Sequence, residues 1–235
     1  MKALSWKPIL SNLTEARGEL LSTYERLYFL EFGELPEDCR WIGETSDYIA
    51  YMQKQEKVNP FDETALFFRL EHAYHHLNWA WNCRRTEEEK VWKSSDRAAA
   101  RWTRFPQTQE FVDLWPEDRS IKEHVDDLSR RKVNYSILQV VLNMAKRKLE
   151  ILCYLVAKEL GDERERPKGL NPEIGLKPLT EKEFFRYMHR IYAQLNTAWN
   201  SRVDKTFVTG KSAIARRERF SSIFATGSWN MWRQS

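Results

Sequence analysis

The densest group of side chains able to do chemistry is Glu71-His72-Ala-Tyr-His75-His76. On a helix, His72 and His76 fall at i and i+4 and could share a metal ion; Glu71 and His75 make a second pair with the same spacing. Elsewhere the ingredients of catalysis are missing. The chain has no Gly-rich phosphate loop, no Gly-x-Ser-x-Gly elbow and no Cys/His zinc spacing. Its carboxylate clusters, such as Glu87-Glu88-Glu89, are charge runs of the kind that face water. His124 and His189 stand alone.

A second kind of pattern interleaves bases with aromatic rings. One set contains Trp92, Lys93, Arg97, Arg101, Trp102 and Arg104; the other contains Lys205, Lys211, Arg216, Arg217, Arg219, Phe220, Trp229, Trp232 and Arg233. Arg and Lys neutralise phosphates, and an exposed indole stacks on unpaired bases, so RNA or single-stranded DNA is one candidate partner. The competing reading is structural. Arg stems cover the edges of a core while their heads pair with acidic residues, and the rings meet a protein partner. A third pattern is Arg119-Ser-Ile-Lys-Glu-His124. Its Arg-x4-His spacing resembles that of HEPN ribonucleases, which are small helical bundles in which Arg and His from two chains together cleave RNA. The resemblance covers six residues and implies a nuclease as a further alternative. The polar Asn, Asp or His that usually follows the Arg in that family is Ser120 here.

The elements that must position these groups announce themselves by repetition. Pro60 to Arg84 aligns without a gap on Pro178 to Arg202, and 10 of the 25 positions are identical, ending in Leu-Asn-x-Ala-Trp-Asn-x-Arg. Trp and Asn are uncommon enough that this is a tandem duplication of one unit, short of the three or more repeats of a solenoid. Lys93-Ser94 and Arg101 match Lys211-Ser212 and Arg219 at the same offset of 118. The histidine pattern does not recur: His189, Arg190, Ala193 and Gln194 replace Glu71, His72, His75 and His76. No metal or cofactor is therefore expected.

Each copy reads as a helix. Asp62 and Thr180 are good N-caps, because their side-chain oxygens accept an orphan backbone N–H, and Glu63 and Glu181 suit the positive end of the helix dipole. Phe67, Leu70, Tyr74, Leu77 and Trp81 fall on one stripe, as do Phe185, Met188, Tyr192, Leu195 and Trp199. Asn78 and Asn196 border that stripe. The stripe predicts the core-forming helix of each half, with each Asn bonded to a neighbouring helix. The alternative is a paired recognition surface made by the two Trp-Asn-x-Arg ends.

Around these helices the punctuation is clear. A first helix is expected over about 11–32, stopped by Gly33 and Pro36, and a short one from a Ser46 or Asp47 cap to about Lys57. The repeat helices are expected over about 62–85 and within 178–203. The charged stretch 86–90 reads as a turn or solvated extension, 91–105 as helix, and 107–115 as one short helix between Pro106 and Pro116. A long helical stretch, 118–160, has a break near 130–134 and stops at Gly161. A Pro- and Gly-bearing linker follows over 162–177, then a loop at 204–210, a helix over 211–225 and an aromatic tail. No alternating strand pattern occurs. The fold expected is all-α: an internally duplicated helical bundle of two related halves, residues 1–115 and 116–235, packed with approximate two-fold symmetry as one globular unit.

Composition agrees. The 235 residues include 8 Gly and 8 Pro, few for an all-β chain, and 31% are charged. Three scattered cysteines, Cys39, Cys83 and Cys153, read as free thiols in a reducing compartment. No signal-peptide run occurs, and the longest apolar run, Ile151 to Ala157, is too short to span a bilayer, so a cytoplasmic protein without membrane contact is expected. The net charge of +4 is uneven: 12 acidic against 5 basic residues from Glu15 to Glu63, but 7 basic against 2 acidic from Arg202 to Ser235. Together with 10 Trp, this predicts a non-enzymatic binding module, an accessory or adaptor subunit whose partner is another protein. The residues placed at the contact are Arg97, Arg101, Trp102, Arg104, Arg216, Arg217, Arg219, Trp229 and Trp232.

Overall fold

The computed structural model describes residues 4–37, 39, 44–95, 101–103, 132–162 and 166–204. Six helices are assigned among them: α1 (Trp6–Phe32), α2 (Thr45–Val58), α3 (Glu63–Asn82), α4 (Glu88–Trp92), α5 (Tyr135–Glu159) and α6 (Glu181–Asn200). The described residues contain no strand; a single antiparallel bridge joins Asp62 to Lys132. The all-α expectation holds.

The ends of the helices follow local chemistry. Gly33 and Gly161 close α1 and α5 with φ of 75° and 73°, the left-handed conformation that costs glycine nothing. Asp62 caps α3 by accepting from the Ala65 N–H at 2.9 Å. Thr180 caps α6 and forms a full capping box with Glu183. Asn134 caps α5 through Ile137 N–H at 3.1 Å, which sets the far side of the break expected near 130–134. Several boundaries differ from expectation: α3 and α6 stop at Asn82 and Asn200, short of 85 and 203, and the helix expected over 91–105 is interrupted at 93–95. α1 begins at Trp6 and takes in Pro8, because the first turn has no intrahelical acceptors and a missing N–H there costs nothing. α2 begins at Thr45, ahead of the Ser46 or Asp47 cap, with Glu44 in the cap position and no side-chain bond. The stretch read as a charged turn carries the start of α4.

Four long helices make the core. α1 lies along both α3 and α5, α5 lies along α6, and α3 meets α6. One continuous apolar cluster runs from Ile9, Leu13 and Leu20 on α1 through Leu70, Tyr74 and Trp81 on α3 and Leu138, Leu142 and Leu149 on α5 to Met188, Tyr192 and Trp199 on α6. In α3 the predicted stripe is the buried stripe. In α6, Phe184 is fully buried whereas Phe185 packs from the edge, so the innermost position shifts by one residue relative to the sequence pattern. None of the helices searched among the described residues is long and apolar enough to cross a membrane.

Candidate functional site

Several residues identical in the two repeated stretches meet across α3 and α6. Tyr74 on α3 donates its hydroxyl to Asn196 Oδ1 on α6 at 2.5 Å, and Tyr192 on α6 donates to Asn78 Oδ1 on α3, also at 2.5 Å. All four side chains are buried, and the two tyrosine rings lie 5.6 Å apart. Burial drives both phenols well above their ordinary pKa, and at Tyr192 the neighbouring Tyr74 acts in the same direction, so both remain donors. A buried polar group left unbonded costs about 1–3 kcal/mol, which gives each Tyr–Asn pair a strong preference for this arrangement.

The Arg at the end of each copy does the same. Arg84 lies over the Trp81 ring at 3.9 Å, donates to the Trp81 carbonyl and reaches Glu181 of the other copy at 2.8 Å. Arg202 lies over the Trp199 ring at 3.7 Å, donates to the Trp199 carbonyl and reaches Glu63 at 2.6 Å. The carbonyl of each Arg accepts from the cap residue of a long helix: Ser5 N–H of α1 for Arg84 and Asn134 N–H of α5 for Arg202, both at 2.8 Å. Just before each repeat helix, Phe61 N–H and Leu179 N–H meet carboxylates, Glu56 at 3.0 Å and Glu159 at 2.6 Å. The Tyr–Asn, Arg–Trp and Arg–Glu contacts each occur twice, once from each repeated stretch. The Trp-Asn-x-Arg ends are therefore internal fastenings rather than an exposed recognition surface; Trp81 and Trp199 are buried.

The histidine run divides by face. His75 points inward beside the buried Glu71, 3.8 Å away, and burial with the neighbouring His72 and His76 charges lowers its pKa to about 4. His72 and His76 face outward and are joined to α1. His72 Nδ1 lies 2.9 Å from Glu19 Oε1, His76 Nδ1 lies 3.1 Å from Asn12 Oδ1, and the two Nε2 atoms are 3.2 Å apart. Burial works to raise the Glu19 pKa, but hydrogen bonds from His72 and Arg69 outweigh it and hold the carboxyl down to about 2. Among the described residues, no group of three or more His, Cys, Asp or Glu converges on a point.

Of the residues predicted to contact a partner, Arg101 and Trp102 are described. Arg101 is exposed. Trp102 is half-buried, 5.7 Å from the Trp79 ring, and its carbonyl accepts from Asn82 while that of Thr103 accepts from Asn78. Trp102 is thus fastened to α3 by repeat residues. Arg97, Arg104, Arg216, Arg217, Arg219, Trp229 and Trp232 lie outside the described residues, as do Arg119 and His124. Sequence reasoning missed the exposed ridge of α5, where Val140 and Met144 stand one turn apart with Arg147 beyond them. The i, i+4 spacing was legible there, but α5 is apolar on so much of its surface that the outward turn did not stand out. Two shallow hollows open to solvent lie on the surface; Lys7, Ser11 and Glu15 line one, and Gln53, Glu56 and Lys57 the other.

Comparison of the chain with family models, with curated proteins and with solved structures gave no match.

Proposed function

We propose that the chain is a non-enzymatic helical binding module, a cytoplasmic accessory or adaptor subunit that docks on another protein. The observation that carries this reading is the Val140–Met144 ridge, two large apolar side chains left exposed on successive turns of α5, one of the four core helices. The module is read as an internal duplication whose halves are related by an approximate two-fold axis. The exchanged Tyr–Asn and Arg–Glu contacts support that reading, and so does the recurrence of Pro60–Arg84 as Pro178–Arg202.

A photo-crosslinking residue at Met144 tests the reading in cells. Capture of one protein species, lost when Val140→Asp is added, is the expected result. Crosslinking to nucleic acid, or to nothing, would overturn it. One observation favours the nucleic-acid alternative: Trp92 is exposed between Lys90 and Lys93 at the end of α4. Anisotropy titrations with single-stranded RNA, single-stranded DNA and duplex DNA at about 50 and 200 mM salt separate the two. A nucleic-acid module keeps tight binding at the higher salt and loses it on Trp92→Ala; an adaptor shows neither behaviour.

A further inference from the structure

We propose that His72 and His76 form a binding site for one divalent transition-metal ion of the zinc, nickel and copper class, on the solvent-facing edge of α3. The expectation from sequence was no metal, because the second copy lacks these residues. The geometry within the first copy points the other way.

The argument starts from the hydrogens. Asn12 donates its Nδ2 to the Pro8 carbonyl at 3.0 Å, which fixes the amide and leaves Oδ1 facing His76. An amide oxygen only accepts, so His76 carries its proton on Nδ1. The Glu19 carboxylate, held also by Arg69 at 2.9 Å, likewise accepts from His72 Nδ1. With a proton on each Nδ1, the two Nε2 atoms face each other across 3.2 Å. The gap is bridged either by a proton on His72 Nε2, favoured because the hydrogen bond to Glu19 raises the His72 pKa, or by a metal ion that displaces that proton and takes both lone pairs. The spacing suits a metal. Two imidazoles bound at about 2.0–2.1 Å and a tetrahedral angle place their nitrogens about 3.3 Å apart.

The surroundings supply what a histidine ligand needs. Each ring has an oxygen acceptor behind it, both from α1, and such partners fix the tautomer and raise the basicity of the ligating nitrogen. His72 is exposed, so water or an outside ligand can fill the remaining positions. Two imidazoles and water favour zinc, nickel or copper over magnesium or calcium, which prefer oxygen. With no third protein ligand among the described residues, the site is open and exchangeable, unlike a closed structural zinc centre.

The test uses the full chain, purified without a histidine tag and stripped of metal. Calorimetric titration with Zn²⁺, Ni²⁺ and Cu²⁺, with Mg²⁺ as control, is expected to give one equivalent of at least one transition metal and none of magnesium. His72→Gln, an exposed change that leaves the core intact, and His76→Gln are each expected to weaken binding at least about tenfold while circular dichroism stays unchanged. Absence of binding at about 100 μM metal would overturn the proposal. So would equal binding by wild type and the folded His72→Gln variant, which would place the ion elsewhere.

Discussion

Two buried hydroxyls fasten α3 to α6. Tyr74 and Tyr192 each donate to an Asn of the opposite copy, and neither Asn side chain is exposed. Tyr74→Phe is expected to cost about 1–2 kcal/mol in urea unfolding, Tyr192→Phe the same, and the double variant to depart from additivity because the rings touch. Additive losses would mean that the pairs act independently. The Arg–Glu fastenings should differ from each other. Glu63 is fully buried, whereas Glu181 is partly exposed and also meets Arg85. Arg202→Ala therefore withdraws the guanidinium from a carboxylate without solvent and is expected to cost about 3 kcal/mol or more. Arg84→Ala should cost clearly less; equal losses would sink this account. Glu181 also carries a pH dependence. Burial acts to raise its pKa, but the hydrogen bonds from Arg85 and Arg84 prevail and hold it below its ordinary 4.5. Its contribution is then complete above pH 4.5 and fades as pH falls through the lower folded value. Glu181→Gln should flatten the acid limb of the stability profile and leave the alkaline limb alone.

Among the elements, α3 and α6 share a length of 20 residues and a stripe, yet they begin differently. Asp62 caps α3 with one hydrogen bond, whereas Thr180 and Glu183 close a reciprocal box on α6. Thr180→Ala is expected to lower stability by about 1 kcal/mol, read as a shift in thermal midpoint. A variant with an unchanged midpoint would show that α6 is held by packing alone. These starts were legible because a cap is a local event, and Asp62, Thr180, Gly33 and Gly161 each declare a helix end within four residues. The start of α1 was not, since Pro8 reads as a breaker until its place in the first turn is known. The inward turn of Phe184 was also hidden, because Phe184 and Phe185 are adjacent and either could extend the stripe.

At the level of the whole molecule, α1 lies along both α3 and α5, so neither half holds a complete core. Fragments 1–115 and 116–235 are expected to be largely unfolded alone and to regain helical circular dichroism when mixed at equal concentration. A fragment that folds cooperatively alone would make the halves separate domains.

The sequence by itself determined the helical class, the repeated stretch, the capped helix ends and the need for a partner at each Asn. These follow from the period of apolar residues and from caps, which act over a few residues. Only the tertiary structure decided which partner: Asn78 meets a residue 114 positions away and Asn196 one 122 away. It also decided that Arg84 and Arg202 are fastenings, that Val140 and Met144 face out, and that two histidines turn their nitrogens toward one point with α1 behind them. The physical reason is common to all four. Each depends on the approach of helices far apart in the chain, and a side chain's neighbours across such a gap leave no trace in local spacing.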